Sequence, residues 1–356
     1  MKKTQLGFLG VAFMYVGAIM GAGFASGREI WQFFGVFGTW GYIGILLVTG
    51  LFMMVGFMTS KIACLMNTND MGKVVVPGEN RFFKNLVANF MGAILFIAIV
   101  TMSAAGGALF EQQFGLSRLI GGAIIVCLVI ATVIGGFDRV ARVFRLVMPV
   151  LMTVVVVVSA AVIVTSEGTP DTSGTFAPSP LAANWWLAAV VYMAYNILGV
   201  IPIVATASIN AKSKRHSYSG AVLGGLFLGA LAFILLNALV RDMTLSDTMA
   251  LPMLAFAGKL SPTVNVVYTV VLFFAIYASA TSNFYGFTLR MIKEPHRKLK
   301  IIIAAWIGFA CGLVGFTRLV AYLFPITGFF GVAIVVMLIA NFIQITRTQR
   351  LSSGRL

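Results

Sequence analysis

Four glycines, Gly17, Gly21, Gly23 and Gly27, fall within the apolar run Val16–Gly27. Each costs about 0.8–1 kcal/mol of helix propensity relative to Ala. Each also lets the backbone leave the helix and approach a ligand closely. A helix broken inside a membrane exposes amides at one half and carbonyls at the other. The amides around Gly21, Ala22 and Gly23 would suit a carboxylate and the carbonyls a cation, so a zwitterion such as an amino acid uses both. A second interruption is Tyr195-Asn-Ile-Leu-Gly-Val-Ile-Pro202, where Pro202 removes a backbone donor. A third polar feature is Tyr277-Ala-Ser-Ala-Thr-Ser-Asn283. Ala278, Thr281 and Ser282 stand at i, i+3 and i+4 on one face. One carbonyl and two hydroxyls there, facing the carbonyls of a broken helix, would complete a five-oxygen Na⁺ site. The alternative is that Ser and Thr bond back to their own helix or pack against a neighbour. Thr101 and Ser103, in another apolar run, face the same choice between substrate and their own backbone.

Other reactive residue types carry less. Glu29 and Glu111 are read as close enough to the membrane surface to be solvated, with Glu29 placed to pair with Arg28 or another outer-side cation. Proton relay is the alternative for either acid. Cys64, Cys127 and Cys311 match neither a disulfide framework nor a zinc site. His216 and His296 sit in basic loops, and methionines such as Met14, Met53 and Met54 are read as packing. No phosphate-binding loop and no nucleophile–base constellation occurs within the apolar runs, so neither an enzyme nor a bound cofactor is expected.

The elements that would position these groups are membrane spans. Hydrophobic residues make up 60% of the chain and its mean hydropathy is +1.00. Ten apolar runs approach the ~20 residues needed to cross a bilayer. No cleavable leader is evident. The net charge of +15 is explained by its distribution. Lys and Arg concentrate at both ends and in alternate loops, at Lys61–Lys84, Arg139–Arg145, Lys212–Arg215 and Arg290–Lys300. The other side holds Arg28, Arg118, Arg241, Lys259 and Arg318. That asymmetry predicts cytoplasmic termini and an even number of spans, not a nucleic-acid partner.

A Ser/Thr/Gly/Pro-rich stretch divides the runs five and five, so the second half enters from the opposite face, the condition for an inverted repeat. The expected fold is an all-α polytopic membrane protein with ten transmembrane helices as a 5+5 inverted repeat, helices 1 and 6 broken at mid-membrane. Residues 1–165 form the first half, 166–183 an external loop, 184–346 the second half and 347–356 a cytoplasmic tail. Asp138–Arg145 reads as a short basic connection. The segment Arg241–Lys259 reads as external, with a short helix over the outer mouth.

These features together resemble the amino acid–polyamine–organocation superfamily, with the leucine-transporter-type fold. The stretch Gly17-Ala-Ile-Met-Gly-Ala-Gly-Phe-Ala-Ser-Gly-Arg-Glu-Ile30 also resembles the start of the YkvI-type membrane proteins placed in that superfamily. The resemblance implies a sodium held by the Gly17 and Met20 carbonyls with Ala278, Thr281 and Ser282. It implies a substrate site at Gly21, Ala22, Gly23 and Phe24, along Ala194, Tyr195, Asn196, Gly199 and Val200, and beside Thr101 and Ser103. The family's second-sodium Asn and Thr fall on Phe24 and Tyr195, so one sodium is expected. No Lys or acid occupies mid-span 5, where some relatives keep a proton-linked Lys, which tilts coupling toward Na⁺.

The resulting expectation is a secondary active transporter in the cell membrane, a bacterial cytoplasmic membrane being the expected one. It would move a small organic solute, an amino acid or related zwitterion, with Na⁺ as coupling ion. The alternatives are a proton-coupled transporter and a solute sensor of the same fold that does not transport. Substrate identity, direction of flux and oligomeric state are left open.

Overall fold

The computed structural model describes residues 6–78, 80–135, 137–166 and 176–353. Most of the Ser/Pro-rich loop, both N-terminal lysines and the last residues of the tail lie outside them. The described chain is almost entirely helical. The first apolar run forms α1 (Phe8–Ile19), α2 (Ala22–Ala25) and α3 (Arg28–Phe33). Next come α4 (Thr39–Met66), α5 (Met71–Val75), α6 (Arg81–Ile94), α7 (Ile97–Phe114), α8 (Arg118–Ile134) and α9 (Phe137–Thr165). The remainder is α10 (Trp185–Ile209), α11 (Lys214–Leu239), α12 (Met243–Thr248), α13 (Pro252–Leu260), α14 (Pro262–Met291), α15 (Arg297–Gly312), α16 (Phe316–Arg318) and α17 (Phe324–Ser353). One π-helical turn, Leu319–Leu323, joins the last two.

Several helix starts are written into the sequence. Asp70, Asn80, Asp242 and Ser261 each accept a backbone N–H three residues on, at 2.8–3.1 Å. These N-caps satisfy amides that would otherwise lack partners, and Pro262 follows Ser261 at the first helical position.

Among the described residues six helical stretches are long and apolar enough to cross a bilayer. They are α4, α6 running into α7, α10, α11, α14, and α16 running into α17. The apolar helices α1 and α8 are shorter, and so is the apolar part of α9 from Pro149. The first run falls below that length because its helix stops at Ile19. The basic stretch Asp138–Arg145, expected as a connection, instead lies inside α9. Its charged residues are all compatible with helix, and neither Gly nor Pro interrupts it before Pro149.

The core is built around α10. That helix packs on α4, α17 and α1, while α11 packs on α4 and α1. A second group joins α7 to α8, α14 and α15. Leu6 pairs with the turn after α10, through Leu6 N–H to Asn210 O and Lys212 N–H to Leu6 O, both 2.9 Å. This contact marks the terminal face of the bundle. The helices α12 and α13 cover the opposite face.

Candidate functional site at the first helix break

The break begins at Met20 (φ −72°, ψ 66°) and Gly21 (φ −88°, ψ −168°). The Gly21 N–H bonds to Ile19 O at 2.7 Å. It therefore does not serve the Gly17 carbonyl, four residues back. Gly21 has an ordinary φ, so glycine is needed for contact rather than for conformation. A Cβ on Gly21 would fall 2.8 Å from Ser279 Oγ on α14. Gly27, at φ +79°, makes a second, left-handed turn that starts α3.

Carbonyls freed at the second turn find partners in neighbouring elements. Tyr268 donates to Ala25 O at 2.5 Å and Met253 N–H to Ser26 O at 2.9 Å. The Arg28 guanidinium donates to Asp247 O at 2.8 Å and to Gln32 Oε1 at 3.2 Å. Trp31 Nε1 donates to Asp247 Oδ1 at 2.9 Å. Gln112 exchanges two hydrogen bonds with the Leu251 backbone. The α12–α13 segment is thus fastened across α2 and α3, as expected of a helix over that mouth. Lys259 pairs with Asp242 at its rim, at 2.7 Å. Partial burial alone would raise the Asp242 carboxyl, but Lys259 and the Leu245 N–H hold it below the usual carboxylate range.

Beneath this cover lies a cavity of about 100 Å³ between α1, α3, α6, α7, α10, α14 and α17. Five of the residues expected at the substrate site line it: Gly21, Thr101, Tyr195, Asn196 and Gly199. Ile19, Leu95, Ile97 and Phe324 form much of the apolar wall. Ala22 and Phe24 are fully buried in packing and are not part of the cavity wall. Ser103 donates to Val100 O at 3.0 Å and faces α15, where a Cβ on Gly312 would meet its Oγ at 2.5 Å. Ala194 turns its carbonyl toward Gly331 of α17, and Val200 is buried away from the cavity.

Glu29 overturns its expectation. It is 4% exposed, not solvated, and lines the cavity. Tyr195 donates a hydrogen bond to its carboxylate. The Tyr192 hydroxyl lies beside the same group but outside hydrogen-bond geometry. Arg28 is turned toward α12 instead, and no ion pair reaches Glu29 among the described residues. A Cβ on Gly23 would fall 1.9 Å from Glu29 Oε1. The carboxylate therefore lies against the bare Gly23 backbone, the place the sequence reading reserved for a substrate carboxylate. The missed signal was the shortness of α2 and α3: residue 29 is too few residues past the break to reach the surface. Glu111, by contrast, is exposed and paired with Arg118 at 2.5 Å.

The α10 interruption does not occur: Trp185–Ile209 is one helix with Pro202 inside it. Pro202 frees one carbonyl, whereas ending the helix would strand up to four donors and four acceptors. In an apolar interior each stranded group costs several kcal/mol, so the kink is the smaller loss.

On α14, Ser279 and Asn283 stand one turn apart on the cavity side. Of the residues expected to hold sodium, Gly17, Met20, Ala278 and Thr281 are buried. Thr281 Oγ1 is buried without a hydrogen-bond partner. Ser282 donates weakly to Ser279 O at 3.4 Å. Among the described residues no group of three or more His, Cys, Asp or Glu gathers as a metal site. Of the cysteines, Cys127 and Cys311 are exposed and Cys64 is half-buried.

No family model matches this chain. It is similar to the uncharacterized membrane protein YkvI of Bacillus subtilis (strain 168), 28% identical over 330 residues that span 91% of this chain and 93% of YkvI. In structure it is similar to MhsT in complex with L-phenylalanine, with a TM-score of 0.62 and 17% identity over 97% of this chain and 89% of MhsT. It is also similar to a Na⁺-coupled sialic acid symporter in a substrate-bound outward-open state. That TM-score is 0.60, with 13% identity over 96% of this chain and 79% of the symporter. The chain has the leucine-transporter-type fold, and these structural neighbours are transporters, not enzymes.

Proposed function

We propose that this chain is a secondary active transporter that moves a small organic solute through the bilayer by alternating access. The observation that carries the reading is the cavity at the α1–α2 break, within an apolar bundle. Its polar wall comes from α3, α7, α10, α14 and α17. A solute held there would be released by moving the elements on one side of it, as broken-helix sites at a membrane midplane allow. In this reading ten crossings form two inverted halves, with the first crossing broken and α10 kinked, and the terminal face is cytoplasmic. The solute carries an ammonium group, a class that includes amino acids and related zwitterions.

The coupling ion in this reading is one Na⁺, held by the Gly17 and Met20 carbonyls, the Ala278 carbonyl and the Thr281 and Ser282 hydroxyls. Two observations support it. The Gly17 carbonyl has lost its helical donor, and Thr281 Oγ1 is a buried oxygen with nothing to bond. A cation in an otherwise apolar site satisfies such oxygens at once.

Uptake of pooled radiolabelled amino acids and amines into proteoliposomes, with and without an inward Na⁺ gradient, tests the proposal. Accumulation driven by the gradient is expected, and Thr281→Ala is expected to remove most of the Na⁺ stimulation. Specific binding without any flux would make the chain a sensor instead. Flux that ignores Na⁺ but follows a pH gradient would move coupling to the proton.

A further inference from the structure

The cavity wall has a chemical bias that its residue types alone do not reveal. Several of its side-chain hydrogens are spent on the protein's own groups. Thr101 Oγ1 donates to Ile97 O at 3.0 Å, and Thr327 Oγ1 to Phe324 O at 2.9 Å. Asn196 Nδ2 donates to Tyr192 O and Asn283 Nδ2 to Ser279 O, both at 2.9 Å. Tyr195 donates to Glu29. What remains for an occupant is the two amide oxygens, hydroxyl lone pairs and the Glu29 carboxylate, with three donors beside them, the second N–H of Asn196 and of Asn283 and the Ser279 hydroxyl. Asn283 Oδ1 is turned toward Gly199, 3.3 Å from where a Cβ on that residue would be. Acceptors outnumber donors in the wall, around one acid that no cation among the described residues neutralises.

We infer that the cavity takes an organic primary amine that carries no carboxylate, its ammonium bonded to Glu29 and to the side-chain oxygens of Asn196 and Asn283. An alkylammonium supplies three donors and one positive charge, and the wall has no positive charge of its own. The apolar wall at Ile19, Leu95, Ile97 and Phe324 would cover its hydrocarbon part. A substrate carboxylate would find no cation in the wall. The bare Gly23 backbone is already covered by Glu29, and a second carboxylate there would meet a like charge in a poorly screened interior. A divalent metal ion fits less well, because the wall offers one carboxylate and no His or Cys. Around Glu29 the titratable and charged groups are Tyr192 and Tyr195 on α10 and Arg28 on its own helix. Arg28 is committed to carbonyls of α12 and the residues just after it.

The inference rests on the cavity being the solute site, and equilibrium binding tests it apart from transport. The purified full-length chain is titrated with two matched pairs, isoamylamine against leucine and phenethylamine against phenylalanine, followed by thermal shift and calorimetry, with MnCl₂ as a separate arm. Each amine is expected to bind at least about tenfold tighter than its amino acid, the loss expected when a charged hydrogen bond is missing or opposed. Glu29→Gln is expected to weaken amine binding at least about tenfold, and Tyr195→Phe, which keeps the acid, by less. The wild-type comparison stands whether or not either variant folds. Tighter binding of the amino acids, binding of neither partner in both pairs, or stabilisation by Mn²⁺ without the amines would each overturn the inference. Amine binding without flux would remove the transporter reading and leave this one intact. Accumulation of amino acids without amine binding would do the reverse.

Discussion

The first apolar run and α10 make an instructive pair. Both are apolar helices interrupted by helix-weakening residues, Gly17, Gly21, Gly23 and Gly27 in one and Gly199 and Pro202 in the other. The first is broken and the second is not. The difference lies in what stands opposite the interruption. At Gly21 and Gly23 neighbouring side chains already occupy the space of a Cβ, Ser279 at 2.8 Å and Glu29 at 1.9 Å. The carbonyls of Ala25 and Ser26, released at the second turn, are taken up by Tyr268 and by the backbone of Met253. At Gly199 only Asn283 Oδ1 approaches, at 3.3 Å, and Thr206 bonds back to Pro202 O at 2.7 Å within the helix. Weak helix propensity alone does not end a membrane helix; what packs against the weak point takes part in the decision.

The contrast predicts a graded series of substitutions, each read by amine binding and by thermal stability of the purified chain. Gly23→Leu should have the largest effect, because its side chain takes the place of the Glu29 carboxylate. Binding should fall about a hundredfold, ~3 kcal/mol, with the protein still folded; retained affinity would take the break out of the site. Gly21→Ala should cost about tenfold, through collision with Ser279 and not through backbone strain. Adding Ser279→Ala should recover much of that loss, and failure of the rescue would mean that Gly21 is needed for conformation after all. Gly199→Ala presses on Asn283 Oδ1 alone, 3.3 Å from the added Cβ, and should weaken binding less than Gly21→Ala does, by about threefold. Pro202→Ala should do least, changing both binding and flux less than about twofold, as expected away from a site of strain or contact. Loss of flux with binding intact would show that α10 does open at Pro202 during transport, and the two crossings would then differ in one state only.

Much of this protein was legible before any coordinates. The length and number of apolar runs required a helical membrane bundle, since only helices satisfy every backbone group within lipid in a single segment. The glycine spacing located the break to within a residue or two, because propensity acts locally along the chain. Gly21, Thr101, Tyr195, Asn196 and Gly199 were marked as site residues and do meet in one cavity. The polar run on α14 was marked as well, although it is Ser279 and Asn283 that face the cavity.

Tertiary structure alone decided the rest. Nothing local separates Ser103, turned to α15, from Thr101, turned to the cavity two residues earlier. Helical rotation places such neighbours about 200° apart, and only the positions of α14, α15 and α17 say which direction is inward. The continuity of α10 through Gly199 and Pro202 was likewise not written in its local sequence. Nor was the place of Glu29. Its depth depends on two short helices folding back beneath α12 and α13, and its charge environment on Arg28 being drawn away to a segment more than two hundred residues later in the chain. Hydrophobicity and propensity are properties of a stretch of chain. What a carboxylate faces is a property of everything packed around it.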